Sequence, residues 1–150
     1  MAREHGHELL AARALGNLAI VHNARGERRE AIALYQQSIA TFFQHEQLLD
    51  VARGFSNVGF SYYGLGEYEE ARRYYVQALE LATKVGDIRE QGVVHLHLAE
   101  ANLALGKLTE AREHCIQASR RFARLGFELG IADVDRVYAG IACRESRWAV

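Results

Sequence analysis

The segment Leu65-Gly66-Glu67-Tyr68-Glu69-Glu70-Ala71-Arg72-Arg73-Tyr74-Tyr75-Val76-Gln77-Ala78-Leu79 is a glycine turn followed by an amphipathic helical pattern, and it recurs at an offset of 40 residues. Four columns hold the same residue in all three copies. They are Gly26, Gly66 and Gly106; Glu30, Glu70 and Glu110; Ala31, Ala71 and Ala111; and Gln37, Gln77 and Gln117. Self-similarity at a period of roughly 20 to 50 residues is typical of stacked repeat proteins. The sequence therefore predicts a stack of similar helical units.

The composition describes one globular domain with enough apolar residues for a continuous core. The chain has 150 residues, of which 49% are hydrophobic and 25% are charged. Its 18 basic and 19 acidic residues leave a net charge of -1, which gives no general electrostatic footprint for direct binding of nucleic acid or an anionic membrane. A basic patch on one part of the surface is still compatible with this balance.

The ends and the cysteines give expectations about location and context. Residues 1–8 lack the apolar core of a secretory signal, and no run approaches the roughly 18 apolar residues of a membrane span, so we expect a cytoplasmic protein. Cys115 and Cys143 are interpreted as reduced thiols. Residues 1–8 are expected to be a mobile linker at a junction between units, which suggests that the chain is part of a longer array.

The apolar residues that follow recur at helical spacing, and each unit reads as a helix A, a glycine turn and a helix B. We place the units at about 8–45, 46–85 and 86–125, with a partial fourth unit over 126–150. Proline is absent throughout, which favours uninterrupted helices over strands. The predicted fold is all-α, with about seven helices forming three helical hairpins and one extra helix near 128–144.

Small residues recur where the two helices of a hairpin are expected to cross. Ala19, Gly59 and Ala99 occupy one column of helix A, and the invariant alanine column occupies helix B. A short turn brings the two helices close together, which leaves no space for larger side chains at the crossing.

These columns resemble the tetratricopeptide repeat over nearly the whole chain. The pairs Leu18-Ala19, Val58-Gly59 and Leu98-Ala99 match its apolar-small pair, Tyr62 matches its helix A aromatic, and Tyr35 and Tyr75 match its helix B aromatic. The period is 40 instead of about 34, the closing proline is missing, and His22, Asn102 and Cys115 replace aromatics. The 40-residue variety is similar to arrays in spindle-orientation scaffolds, bacterial transcriptional regulators and signalling ATPases. The resemblance implies a right-handed α-α superhelix whose helices A line a concave groove.

The residue patterns give no catalytic or cofactor site. His95 and His97 are two residues apart and point to different sides of a helix, and no HExxH, CxxC or phosphate-binding loop is present. His114 and Cys115 are adjacent on a helix, so they point about 100° apart and do not form a nucleophile pair. We therefore predict a protein that is not an enzyme and that needs neither a metal nor a cofactor.

The resemblance implies that selected helix A residues contact a partner in the groove. They are Arg13, Asn17, Ile20, Arg53, Asn57, Phe60, Tyr63, His97, Glu100 and Arg136. Asn17 and Asn57 occupy the column where related repeats hydrogen-bond a peptide backbone, a role that a paired donor and acceptor suits. Ile20, Phe60 and Tyr63 would form apolar pockets, and the three arginines would pair with carboxylates. The alternative is that the asparagines satisfy neighbouring backbone and the arginines are merely solvated.

The leading hypothesis is a non-catalytic protein- or peptide-binding module. The alternative is a regulatory sensor or oligomerisation segment of a larger bacterial transcriptional regulator or signalling ATPase. In that case we expect a homodimer through helix 128–144, where Val134, Tyr138 and Ile141 lack a following helix B to cover them.

Overall fold

The computed structural model describes residues 1–148, which form seven α-helices and no strand. The helices are α1 (Ala2–Ala24), α2 (Arg28–Gln44), α3 (Leu48–Gly64), α4 (Tyr68–Val85), α5 (Ile88–Ala104), α6 (Leu108–Leu125) and α7 (Glu128–Trp148). Each helix packs against its neighbours in the chain, and α5 also contacts α3 and α7. The helices therefore stack as three hairpins, α1–α2, α3–α4 and α5–α6, followed by α7, as the sequence predicts.

Every connection between helices contains one residue in the left-handed region. Gly26, Gly66 and Gly106 take this conformation inside the hairpins, and Gly86 and Gly126 take it between them, with φ between 65° and 83°. Around Gly66 the turn is closed by two backbone bonds, from the Gly66 N–H to the Tyr63 carbonyl and from the Glu67 N–H to the Tyr62 carbonyl, both 3.0 Å. The remaining connection uses Glu46, a non-glycine residue with φ of 54°.

The small residues lie at the helix crossings, as expected. Ala31, Ala71 and Ala111 have no exposed surface, and neither do Ala19 and Ala99. A Cβ added to Gly59 would lie 2.6 Å from the Tyr75 ring and 3.1 Å from the Ala71 carbonyl oxygen. Close approach of two backbones is therefore the reason for this column.

The expected linker over residues 1–8 is wrong, because α1 begins at Ala2. The first turns of α1 have partners at the end of α2: the Glu8 carboxylate lies 2.6 Å from His45 Nε2, and the His5 and His45 rings meet edge to face at 5.0 Å. These contacts extend the first hairpin by about two helical turns.

The expected exposure of α7 is also wrong. Val134 and Ile141 have no exposed surface and Tyr138 packs against the same cluster, which α5 and α6 complete. These residues face the preceding hairpin, so a following helix B is not needed to cover them. The exposed surface of α7 carries charged residues such as Asp135 and Arg136, with three alanines between them. The alanines are Ala132, Ala139 and Ala142.

Candidate functional site

Helices α1 and α3 form the walls of a shallow cavity of about 230 Å³ in the groove. Arg13, Asn17 and Ile20 of α1 face Arg53 and Asn57 of α3 across it. The buried α2 residues Tyr35, Ser38 and Phe42 form its floor. The 40-residue offset places equivalent side chains of α1 and α3 around the same cavity.

A second cavity, of about 530 Å³, continues the groove toward the hairpin turns. Ile20 and Phe60 line it and remain 54% and 47% exposed, although both are large apolar side chains. Arg28 at the start of α2 also lines it and donates through Nη1 to Asn23 Oδ1 at 3.1 Å. A Cβ at Gly64 would overlap the Arg28 guanidinium. Sequence reasoning missed Arg28, because it lies on a helix B and enters the groove only across the close approach at Gly64.

The third cavity lies between α3, α5 and α7 and measures about 340 Å³. It is lined by Tyr63, Glu100 and Arg136, which the sequence placed in the groove, and by Tyr68. Arg136 Nη2 lies 3.6 Å from Glu100 Oε1 and 3.2 Å from Asp133 Oδ1. Burial raises the pKa of Glu100 and Arg136 opposes that rise. The positive charge of Arg136 is thus already matched by two carboxylates.

His97 of α5 is not among the side chains that line these three cavities. Its half-buried ring lies 6.1 Å from Phe60 and 5.1 Å from Tyr75, and its Nδ1 is 3.3 Å from Ser56 Oγ. Burial lowers the pKa of His97, so the ring is neutral at pH 7. The ring therefore packs between α3 and α4 as an uncharged group.

The α1–α3 end of the groove keeps polar groups available. Within residues 1–148, neither the Asn17 nor the Asn57 side chain makes a hydrogen bond, whereas Asn23 accepts from Arg28. No carboxylate in that part of the chain lies within 4.0 Å of Arg13, and Arg53 Nε has a single contact, 3.7 Å from Glu90 Oε2. This end of the groove therefore combines unpaired amides, partly matched positive charge and exposed apolar groups.

A polar cluster in the third unit takes the place of an aromatic cluster in the second. The His95 and His114 Nδ1 atoms lie 3.0 Å apart between α5 and α6, and Asn102 is 1% exposed with no partner for its Oδ1. The signal was present in the sequence, because the same columns of the second unit hold Phe55, Tyr62 and Tyr74. Those three aromatics pack together, with Tyr62 stacked on Tyr74 at 5.5 Å.

Other chemistry is limited in the described part of the chain. Residues 1–148 contain no group of three His, Cys, Asp or Glu side chains placed to hold a metal ion. Cys115 is buried, which raises the pKa of its thiol to about 11, and Cys143 is exposed. None of the seven helices has the length and apolar character of a membrane span.

The stacked hairpins, with a groove lined mainly by the first helix of each hairpin, define a helical repeat protein. Models of the tetratricopeptide repeat match residues 11–42, 52–84 and 92–115, together more than half of the chain. The chain belongs to the tetratricopeptide repeat family. Each matched segment covers most of one hairpin, which agrees with the 40-residue period.

Solved structures show the same fold at low sequence identity. RapI in its apo form superposes with a TM-score of 0.79 at 16% identity, over 88% of this chain and 38% of that one. The nearly identical TPR-like repeats of a Podosopora anserina kinesin light chain give 0.70 at 20% identity, over 85% of this chain and 65% of that one. BtubC (BKLC) from P. vanneervenii gives 0.62 at 17%, over 91% and 65%.

The chain thus spans less than two fifths of the length of RapI. Among curated protein sequences, none matches it significantly. At identities this low, the likeness shows a common fold.

Proposed function

We propose that this chain is a non-catalytic module that binds a protein or peptide segment in its concave groove. The observation that carries the proposal is the continuity of the two cavities at the α1–α3 end, which share Ile20, Tyr35 and Asn57. A segment bound at this end of the groove would contact the unpaired amides of Asn17 and Asn57 along one edge.

The character of the groove suggests what such a segment contains. Ile20 and Phe60 are exposed inside a concave surface, where an apolar side chain of the partner would remove them from water. Arg13 and Arg53 stand beside this apolar region and favour a carboxylate of the partner. At the other end, Arg136 is already paired, so Tyr63 and Glu100 would contribute polar contacts with little net charge.

The experiment begins with peptides selected from a random display library on the immobilised protein. Fluorescence anisotropy then compares their affinities for the native chain and for the double variant Asn57→Ala/Phe60→Ala. Loss of a backbone hydrogen bond and of an apolar anchor should weaken binding at least about tenfold.

The matched control is Val76→Ala/Gln77→Ala, a pair of exposed residues on helix α4. It should bind the selected peptides with native affinity, and both variants should keep native helicity by circular dichroism. Peptides that bind Asn57→Ala/Phe60→Ala as tightly as the native chain would place the site outside the groove.

The alternative, a regulatory sensor or oligomerisation segment of a larger transcriptional regulator or signalling ATPase, is favoured by one observation. Exposed Ala132 and Ala139 of α7, which we call the α7 stripe, occupy columns that are buried in each preceding unit. A homodimer through α7 would use this stripe. Sedimentation velocity should then show a concentration-dependent dimer that Ala139→Glu dissociates, and a concentration-independent monomer would exclude it.

A further inference from the structure

Outside the groove, three arginines of α6 surround a cavity of about 240 Å³ beside the start of α5. Arg120, Arg121 and Arg124 line it together with Ile88 and Gln91. We call these three side chains the arginine cluster. It belongs to the third unit alone, because the equivalent positions of the second unit hold Glu80, Leu81 and Lys84 and those of the first unit are uncharged.

The central guanidinium of the arginine cluster is held in one orientation. Gln91, which is 9% exposed, donates through Nε2 to the Ala82 carbonyl at 3.3 Å and accepts from Arg121 Nε at 2.9 Å. Arg121 Nη1 donates to the Gln117 carbonyl at 3.1 Å and to Gln117 Oε1 at 2.8 Å. All these acceptors are neutral, so the guanidinium keeps its full charge while losing little entropy on binding an anion.

The positive charge of this surface is not matched locally. Within residues 1–148, no carboxylate lies within 4.0 Å of the arginine cluster or of neighbouring Arg89. The nearby Asp87 side chain accepts the backbone N–H of Glu90 at 2.8 Å as a helix cap. Since the whole chain has a net charge of -1, this concentration of arginine is a local departure from the average.

Apolar side chains border the arginine cluster. Ile88 lines the same cavity, and Leu125 and Val85, which precede the two adjoining turns, are 47% and 41% exposed. Phe127 lies under the Arg89 guanidinium, 5.1 Å from the ring centroid, so its covered face does not offer a platform for stacking a base. Charge bordered by aliphatic surface suits a protein segment better than a nucleic acid.

We infer that the arginine cluster is a second docking surface, which binds an acidic segment of a partner protein. A Glu or Asp carboxylate of that segment accepts from the Arg121 guanidinium through the Nη2 atom that the glutamines leave unused, and from Arg124. An adjacent apolar side chain of the segment packs on Ile88 and Leu125. This surface is separate from the groove, because the two share no lining residue.

The probe is a fluorescein-labelled peptide with four glutamates around one leucine, and its counterpart carries glutamines in place of the glutamates. We expect anisotropy to show binding of the acidic peptide alone. Arg120→Gln/Arg124→Gln should weaken it about tenfold through loss of two charged donors. Arg121→Lys should weaken it several-fold although the charge is kept, since lysine cannot reproduce the geometry set by Gln91 and Gln117.

Arg144→Gln/Arg147→Gln is the matched control, because it removes the same charge from exposed arginines of α7. It should change the affinity less than about twofold, as should the groove variant Asn57→Ala/Phe60→Ala. Equal weakening by the α7 variant, or no weakening by the α6 variant with its helicity intact, would refute the site. Displacement of the peptide by phosphate or a short DNA strand far more strongly than by chloride at equal ionic strength would refute the protein partner.

Discussion

The buried polar cluster of the third unit should lower the stability of the folded protein at acidic pH. Replacing its residues by those at the same positions of the second unit should remove this effect. His95, Asn102 and His114 occupy the columns of Phe55, Tyr62 and Tyr74. The ring centroids of His95 and His114 lie 5.2 Å apart, close to the 6.0 Å between Phe55 and Tyr74. The triple variant His95→Phe/Asn102→Tyr/His114→Tyr therefore rebuilds the cluster with side chains that the same fold already accommodates.

The magnitude follows from the protonation of His95. The side chain is 7% exposed, and burial, together with the charges of Arg121 and His114, lowers its pKa to about 4 in the folded protein. In the unfolded chain His95 titrates near 6.5, so below that pH the unfolded chain binds a proton that the folded protein does not bind. Above about pH 6.5 this difference does not affect the free energy of unfolding. As the pH falls from about 6.5 toward 4 the free energy of unfolding decreases, by about 2 kcal/mol at pH 5. Burial also lowers the pKa of His114, which acts in the same direction.

Urea denaturation followed by circular dichroism, at about pH 7.5 and about pH 5, measures this loss as a difference in the free energy of unfolding. The native chain should lose about 2 kcal/mol more than the triple variant over this interval. His97, Glu90 and Glu100 also have shifted pKa values, but they are present in both proteins and cancel in the comparison. An equal loss of stability in the two proteins would refute the assignment of acid sensitivity to this cluster.

Three further predictions concern packing, turn geometry and thiol reactivity. Ala71→Leu should overpack the α3–α4 crossing and lower the free energy of unfolding by ~1–3 kcal/mol, and an unchanged thermal midpoint would contradict the assigned crossing. Glu46→Gly should stabilise the protein by about 1 kcal/mol, because Glu46 is held at φ of 54°; a thermal midpoint raised by roughly 2–4 °C would show it. A thiol reagent should modify exposed Cys143 in the native protein and buried Cys115 only after unfolding, and mass spectrometry would detect any early labelling of Cys115 that contradicts this.

The repeat period made most of the fold predictable. Glycines at the turn positions mark where each hairpin closes, because a left-handed backbone favours glycine, and five of the six left-handed turn residues are glycine. The same period misled at the ends of the chain. It placed residues 1–8 outside the first helix, yet Gly6 lies inside α1. The neighbouring residues His5 and Glu8 contact His45 at the end of α2, which packs this part of α1 against the hairpin.

The 40-residue columns indicate which helix A residues line the cavities. They do not indicate whether those side chains are already paired with other groups. Asn57 and Phe60 line the cavities that the resemblance implied for them. The column pattern does not reveal that Arg136 is already paired with Glu100 and Asp133, or that the His97 ring packs against Tyr75. The Arg136–Glu100 pair joins residues 36 positions apart and the His97–Tyr75 contact joins residues 22 positions apart, in each case on different helices, and a periodic pattern does not record such contacts.

The sequence alone therefore determined that the chain forms stacked helical hairpins, because a repeated pattern of glycine, alanine and apolar residues acts locally and identically in each unit. Tertiary structure alone decided how the departures from that pattern combine. His95 and His114 share no local motif, and neither do Gln91 and Arg121, yet helix packing brings each pair within hydrogen-bond distance. The stacked fold follows from what the units share, whereas the arginine cluster and the histidine pair follow from residues in which the third unit differs from the other two.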